Sequence, residues 1–287
     1  MLYFIGERRK NMASLLSAIL CSSALALILK AADSEGNRYG ILLGNYIVCA
    51  VIALFSCRFH IVLSPITAVL GIIGGILFLF GLLAMQKSIS VNGASLTSAF
   101  SKLGMTVSLF ISVVFFHETL RPLPLAGIFL SILAIFIIHH GTKDAAGTKF
   151  GLLLLTLLGN GLADSMARIF QAFGSPEQEE SYLFVLFATA GILTLILALR
   201  EWNRNSAPVT LRSLLYGAMA GIPNYFSSLF LIHALALLPA VIVYPVFSGG
   251  TILTVMTASA LLFHERIDRI QKAGLVLVLI ALVLLNL

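Results

Sequence analysis

Long runs of apolar residues, separated by short polar breaks, follow one another along the whole chain. Most runs are close to the roughly 20 residues that an α-helix needs to cross the hydrocarbon core of a bilayer. Charged or turn-forming residues occupy the breaks, as they do at the ends of membrane helices. The pattern therefore predicts an all-α, polytopic membrane protein. Its ten predicted membrane helices are 11–29, 41–57, 66–85, 92–116, 123–140, 150–172, 182–199, 213–234, 239–263 and 270–287.

A repeat with an offset of 147 residues divides these runs into two sets of five. Phe116-His117-Glu118 recurs as Phe263-His264-Glu265, and two dipeptides recur in the same register. The dipeptides are Phe100-Ser101 with Phe247-Ser248, and Ala126-Gly127 with Ala273-Gly274. Because five is odd, the second copy enters the membrane from the opposite side. We therefore predict two inverted five-helix repeats, residues 1–145 and 146–287, an arrangement common in secondary transporters.

Composition supports this class of protein and excludes others. Hydrophobic residues make up 59% of the 287 residues and charged residues only 10%, against about 25% charged in soluble domains. A soluble enzyme, a nucleic-acid-binding module and a disordered chain are excluded. The net charge of +6 fits basic loop ends beside a lipid bilayer, so no nucleic-acid partner is expected.

The ends of the fourth and ninth runs carry a family resemblance. Leu109–Glu118 closes the fourth run with a glutamate, and the ninth run extends from Tyr244 to Glu265 and Arg266. An Ala-Gly pair follows each glutamate in the next helix. With the five-plus-five duplication, the chain resembles the EamA-type branch of the drug/metabolite transporter superfamily.

This resemblance implies a function. It implies a multi-pass protein of the cell (inner) membrane, not an enzyme, without cofactor or metal. The expected activity is secondary active transport, as an exporter, of a small polar or amphipathic metabolite or drug by alternating access around a central cavity. A coupling proton or other ion is an expected partner, and the protein is expected to be a monomer or homodimer. Substrate identity stays open, since family members move amino acids, sugars, nucleotide-linked metabolites and drugs.

The orientation of the chain in the membrane is open. The family usually keeps both termini in the cytoplasm, which places five loop or tail Lys and Arg residues inside and eleven outside. The positive-inside rule favours the opposite orientation.

Charged residues within the runs are the main candidates for a substrate site. Lys102 lies midway along the fourth run and Asp164 midway along the sixth, with Arg168 one turn later. An ionisable group at the bilayer centre costs a few kcal/mol or more and is commonly functional. Lys102 is predicted to hold an anionic substrate group, and Asp164 an amine or a coupling proton. The structural alternatives are a neutralised buried charge for Lys102 and a local Asp164–Arg168 ion pair.

The ninth run contains residues that weaken a helix. Tyr244 precedes a proline, and Ser248, Gly249 and Gly250 follow; position 249 aligns with Lys102 in the repeat. A bend or unwound turn there would line the cavity, whereas close helix packing on small residues is the alternative. Further predicted polar ligands are Asn224, Tyr225 and Asn92.

Two other functions compete with transport. An intramembrane lipid-modifying enzyme would use His and Asp, but the sequence contains no metal-binding motif or carboxylate pair for it. A passive metabolite pore is the third possibility. Glu118 and Glu265 precede the next helix and are predicted to accept from its free amides, a structural role.

Overall fold

The computed structural model describes residues 2–35, 37–116, 126, 127, 129, 130, 133, 149–205, 209–237, 240–264 and 269–284. Within these ranges all regular secondary structure is helical. The α-helices are α1 Leu2–Ala31, α2 Arg38–Ser56, α3 Pro65–Asn92, α4 Ala94–Leu103, α5 Met105–Phe116, α6 Phe150–Phe173, α7 Glu179–Asn205, α8 Leu211–Leu237, α9 Ala240–Leu262 and α10 Arg269–Leu284. Short 3-10 turns occupy Ala32–Glu35 and Pro176–Gln178.

Six of the described helices are long and apolar enough to cross a membrane. These segments are 13–31, 38–56, 65–92, 150–173, 176–203 and 211–236, and 246–262 is a shorter apolar helix. The all-helical membrane fold is therefore confirmed in its coarse form. The predicted fifth helix lies largely outside the described residues, and Glu118 and Glu265 lie outside them entirely, so the count of ten stays a prediction.

The fourth apolar run departs from the prediction of a single helix over 92–116. It forms two helices, α4 and α5, that meet at Gly104. The Gly104 amide bonds to the Ser101 carbonyl at 3.2 Å, three residues back, which tightens the chain into a turn. By contrast, α9 runs without interruption through 244–251, and α8 runs through Pro223. The unwound turn predicted for the ninth run is therefore wrong, whereas a bend of the helix there stays a prediction.

For α1–α4, helix packing repeats when the helix number is shifted by five, to α6–α9. In the first half α3 packs against α6 and α7, and in the second half α8 packs against α1 and α2. Under this shift the contact between α1 and α9 corresponds to the contact between α6 and α4. The contact of α2 with α7 corresponds to itself, because the shift exchanges its two helices, and the same holds for α4 with α9. A duplicated five-helix unit requires this exchange.

Glycines set the closest of these packing contacts. A Cβ on Gly75 of α3 would collide with the Leu186 carbonyl of α7. A Cβ on Gly217 of α8 would collide with the Ile41 carbonyl of α2. Backbones approach this closely only where side chains are absent. Gly75 and Gly217 are therefore helix-packing positions, one in each half.

Hydrogen bonds between helix ends fix the direction of the chain. Asn92 at the end of α3 accepts from the Lys149 amide at 2.9 Å, so α6 starts on the face where α3 ends, called the Asn92 face. Arg38 at the start of α2 donates to Ser90 at 2.8 Å, so α1 ends on this face too. Helices α1 and α6 therefore run in opposite directions, as an inverted repeat requires.

Candidate functional site

A cavity lies between α1, α3, α4, α6, α7, α8 and α9. Both halves of the chain contribute to its wall. Its polar lining is Ser22, Ser98, Ser101, Lys102, Asn160, Asp164, Tyr182, Asn224, Ser227, Ser228 and Thr251. The remaining wall is aliphatic and aromatic and includes Phe78, Leu82, Leu186 and Phe247. The cavity therefore combines a few polar groups with a largely apolar surface, as small-molecule sites do.

Lys102 is held in the cavity wall by the last turn of α4. This helix packs between α6 and α9, and every one of its ten residues is buried. The ammonium Nζ of Lys102 lies 3.9 Å from the centroid of the Phe247 ring on α9. A cation at this distance from an aromatic face is attracted by the ring quadrupole. The contact thus joins a residue of the first half to one of the second.

Asp164 lies on α6 and lines the same cavity. Lys102 and Asp164 are near enough to influence each other electrostatically. In the described part of the chain, however, Lys102 and Asp164 do not form an ion pair within 4 Å. Arg168, one turn after Asp164, is not among the residues that line the cavity. The two charges therefore face the cavity without neutralising each other directly.

Serines next to Lys102 belong to this charged end of the cavity. Ser98 precedes Lys102 by one helical turn and shares its face of α4, and Ser101 is its neighbour. The Ser98 hydroxyl is buried and has no hydrogen-bond partner in the described ranges. Neither serine was predicted from the sequence as a site residue. The four-residue spacing of Ser98 and Lys102 could have indicated that Ser98 lies on the same helix face as Lys102.

Neutral polar groups lie on the α8 side of the cavity. Asn224 lines it, as predicted among the site residues, and donates to the Asn45 side chain of α2 at 3.2 Å. Ser227 donates to the Ala18 carbonyl of α1 at 3.4 Å. These bonds tie α8 to α1 and α2, so this end of the cavity is built from groups that also hold the helices together.

The other predicted residues of α9 lie beside the cavity wall. Ser248 is buried with its hydroxyl 3.9 Å from the Met105 sulfur, and Tyr244 packs in apolar clusters. A Cβ on Gly249 would meet Leu279 at 3.8 Å, an ordinary contact, and one on Gly250 would meet Ile19 at 2.8 Å. In this stretch Phe247 and Thr251 face the cavity instead.

Two further residues predicted as polar ligands have structural partners. Asn92 donates to Ser88 at 2.9 Å and to the Lys149 carbonyl at 3.3 Å, besides accepting from the Lys149 amide. Tyr225 is buried and donates to Ser56 at 3.0 Å. Neither lines the cavity. Across the described ranges no three His, Cys, Asp or Glu side chains converge to hold a metal ion.

Apolar helices of membrane-spanning length surround a cavity that is lined by Lys102 and Asp164, the architecture of a polytopic membrane protein. The model of the EamA-like transporter family matches residues 150–287. The match covers the second of the two predicted repeats and confirms the resemblance predicted from the fourth and ninth runs.

Similar proteins extend over the whole chain. An uncharacterized protein of Haemophilus influenzae is 25% identical over 293 residues, which cover 94% of this chain and 96% of that protein. A crystal structure of another protein, 13% identical, covers 96% of both chains with a TM-score of 0.65. At that identity the likeness concerns the fold alone.

Proposed function

We propose that the protein is a secondary active transporter that exports a small polar or amphipathic solute across the cell (inner) membrane. The observation that carries the proposal is the cavity between the two halves, which encloses Lys102 and Asp164. The family of the second half consists of transporters, which supports transport over enzymatic catalysis.

The charges in the cavity support a ligand with an anionic group. An ammonium inside a membrane protein is costly unless it is paired, solvated or used. Lys102 has no carboxylate within 4 Å in the described ranges, and the unpaired Ser98 hydroxyl beside it supplies a hydrogen-bond donor. Lys102 would hold a carboxylate or phosphate group, and Asp164 an amine of the same ligand or a coupling proton.

Alternating access follows from the repeat that we infer for residues 1–145 and 146–287. The exchange of packing pairs between α3 with α7 and α8 with α2 supports it, as do the opposite directions of α1 and α6. In inverted-repeat transporters, movement of one repeat against the other exposes a central site to either side.

A ligand screen tests the proposal first. Thermal unfolding of the purified protein in detergent is measured with sets of carboxylates, phosphate esters, amino acids, sugars and cationic drugs. A ligand that binds only the folded state raises the unfolding temperature by mass action. The hits are then assayed for uptake into sealed proteoliposomes, with and without a proton gradient.

Each result has a defined meaning. Accumulation of a solute against its gradient, driven by the ion gradient, supports secondary active transport. Flux that only equalises the concentrations would indicate a passive pore. A modified lipid product without flux would indicate an intramembrane enzyme. Binding confined to cationic ligands would contradict the anionic group that is proposed to bind Lys102.

A further inference from the structure

The contact between Lys102 and Phe247 joins the two halves at the cavity wall. The ammonium lies over the ring at 3.9 Å, and the two residues belong to α4 and α9, which pack against each other. Phe247 is buried and faces the cavity beside Lys102. Its ring therefore determines where the ammonium lies when the cavity contains no ligand.

The helix that carries Lys102 is short and separated from its neighbours on both sides. Gly93, with φ 80°, separates α4 from α3, and the Gly104 turn separates it from α5. At Gly104 the backbone lies against α6, where a Cβ would meet the Leu157 carbonyl at 2.6 Å. A ten-residue helix that is held at Gly104 and joined to α3 through Gly93 can change its tilt about the Gly104 end without bending a long helix.

We propose that the Lys102–Phe247 contact is a latch between the two halves, and that an anionic group in the cavity opens it by drawing the ammonium off the ring. Phe247 is then a positioning residue that acts through Lys102. The inference rests on the proposed function, since it makes occupancy of the cavity control the separation of α4 from α9.

The relative strengths of two contacts of Lys102, with the Phe247 ring and with an anion, support the latch. A cation–π contact is weaker than a charge-assisted hydrogen bond to a carboxylate or phosphate oxygen in a site shielded from water. Ser98 and Ser101 stand on the same part of α4 and can donate to the same anion. An incoming anion therefore competes favourably for the ammonium, whereas a neutral ligand leaves it on the ring.

Ser248 provides a position at which opening can be measured. It is buried on α9 directly after Phe247, and its hydroxyl lies 3.9 Å from the Met105 sulfur at the start of α5. A cysteine at 248 is shielded while α4 and α5 stay against α9. The reporter protein carries Ser248→Cys with Cys21→Ala and Cys57→Ala, and keeps Cys49, which is buried between α2 and α8.

The experiment measures the rate of modification at both thiols by uncharged N-ethylmaleimide, using mass spectrometry. Phe247→Leu and Lys102→Met are expected to raise the rate at position 248 by roughly 2- to 30-fold, the factor that corresponds to a cation–π contact. Phe247→Tyr, which keeps an aromatic face, is expected to restore protection. Phe100→Leu is the matched control, because Phe100 is the repeat counterpart of Phe247 and packs against Phe150 instead.

Anion dependence is tested with acetate and inorganic phosphate, the simplest carboxylate and phosphate probes. Both are expected to raise the rate at position 248 with Lys102 and Phe247 present, and to have no effect in Lys102→Met. Neutral acetamide is the control for acetate. No response to either anion would overturn the anionic trigger.

Two other results would overturn the latch itself. One is an unchanged rate in both Phe247→Leu and Lys102→Met. The other is an equal rise at Cys49, which would mean general loosening of the helices. Because the labelling requires no transported solute, its failure can be distinguished from a failure of the proposed transport in proteoliposomes.

Discussion

Lys102 and Asp164 are both charged groups inside a membrane protein, and each faces the same cavity. The position of each in the middle of an apolar run could be read from the sequence. Their proximity, and the Phe247 ring beneath Lys102, could not, because these contacts join residues that are distant in the chain. Arg168 illustrates the limit of local reasoning: four-residue spacing places it on the same helix face as Asp164, but of the two only Asp164 lines the cavity.

A mutant cycle separates a binding role for the two charges from a structural one. We expect Lys102→Ala and Asp164→Asn each to reduce transport by roughly 10- to 100-fold. This factor corresponds to the loss of one hydrogen bond to a charged group, which contributes about 1.5–3 kcal/mol. The double variant should stay inactive if both groups bind the ligand, as proposed. Transport is measured with the solute found by the thermal screen, after membrane insertion is verified. Near-normal transport in the double variant would instead mean a mutual structural pair.

Asn92 offers a prediction about stability. Its side chain bonds to Ser88 and to both backbone groups of Lys149, which ties the end of α3 to the start of α6. Asn92→Ala should lower the free energy of unfolding by about 0.5–1.5 kcal/mol, since the exposed partners can bond to water instead. Unfolding in detergent measures the change, and Asn203→Ala on an exposed position of α7 is the control. Equal stability of both variants would contradict the structural role of Asn92.

At the scale of helices, the hydrophobic pattern predicted most boundaries to within a few residues. For example, 150–172 became Phe150–Phe173 and 239–263 became Ala240–Leu262. The break at Gly104 was not predictable from a single glycine in an apolar run. It arises from a tertiary contact, in which the Gly104 backbone lies against Leu157 and Gly161 of α6. Conversely, the Pro-Gly-rich stretch of α9 stays helical, because packing overrides weak local propensity.

Glycine contacts between helices give a test at this scale. A Cβ on Gly161 would meet the Gly104 carbonyl carbon and the Val107 Cβ, both at 2.9 Å. Gly161→Ala should therefore destabilise the protein by about 1–3 kcal/mol through overpacking. The same change at Gly151 meets nothing within 4 Å and should be neutral or stabilising by up to about 1 kcal/mol. Unfolding temperatures of the two variants compare them directly, and an unperturbed Gly161→Ala would contradict the close approach of α4–α5 to α6.

The two glycines of α9 should respond differently to added bulk. Gly249→Ala is expected to be tolerated, because only Leu279 lies nearby, at 3.8 Å. Gly250→Leu should weaken the packing of α9 on Ile19 of α1, where even a Cβ would come within 2.8 Å. Unfolding temperature and transport are measured for both. Loss of transport in Gly249→Ala with normal stability would instead support the cavity-lining role that the sequence predicts for Gly249.

For the whole molecule, the direction of the helices predicts on which faces residues lie. Helix α2 runs from the Asn92 face to the opposite face, and α7, which starts near Ser64 and the start of α3, runs back to the Asn92 face. Cys57 and a cysteine introduced by Asn203→Cys should therefore react with a membrane-impermeant thiol reagent from opposite sides of sealed vesicles. Burial raises the pKa of the Cys57 thiol, so its thiolate and its labelling rate increase at alkaline pH.

The side that labels Cys57 also decides the orientation of the membrane protein. Labelling of Cys57 from the cytoplasm would agree with the family expectation of cytoplasmic termini. Labelling from the other side would agree with the Lys and Arg distribution. Labelling of both positions from one side would contradict the chain direction described above, and with it the inverted repeat.

Lys102 has a glycine, Gly249, as its counterpart in the second half, and this single difference has a consequence for a carrier built from two inverted units. Exchanging the conformations of the units converts the state open to one side into the state open to the other. If the units were identical, the two states would have equal energy. In the transporter proposed above, a lysine at this level of one half and a glycine at the same level of the other would make the two states differ in energy. The ion and solute gradients would still determine the direction of net flux, but the two states would be unequally populated when no solute is bound.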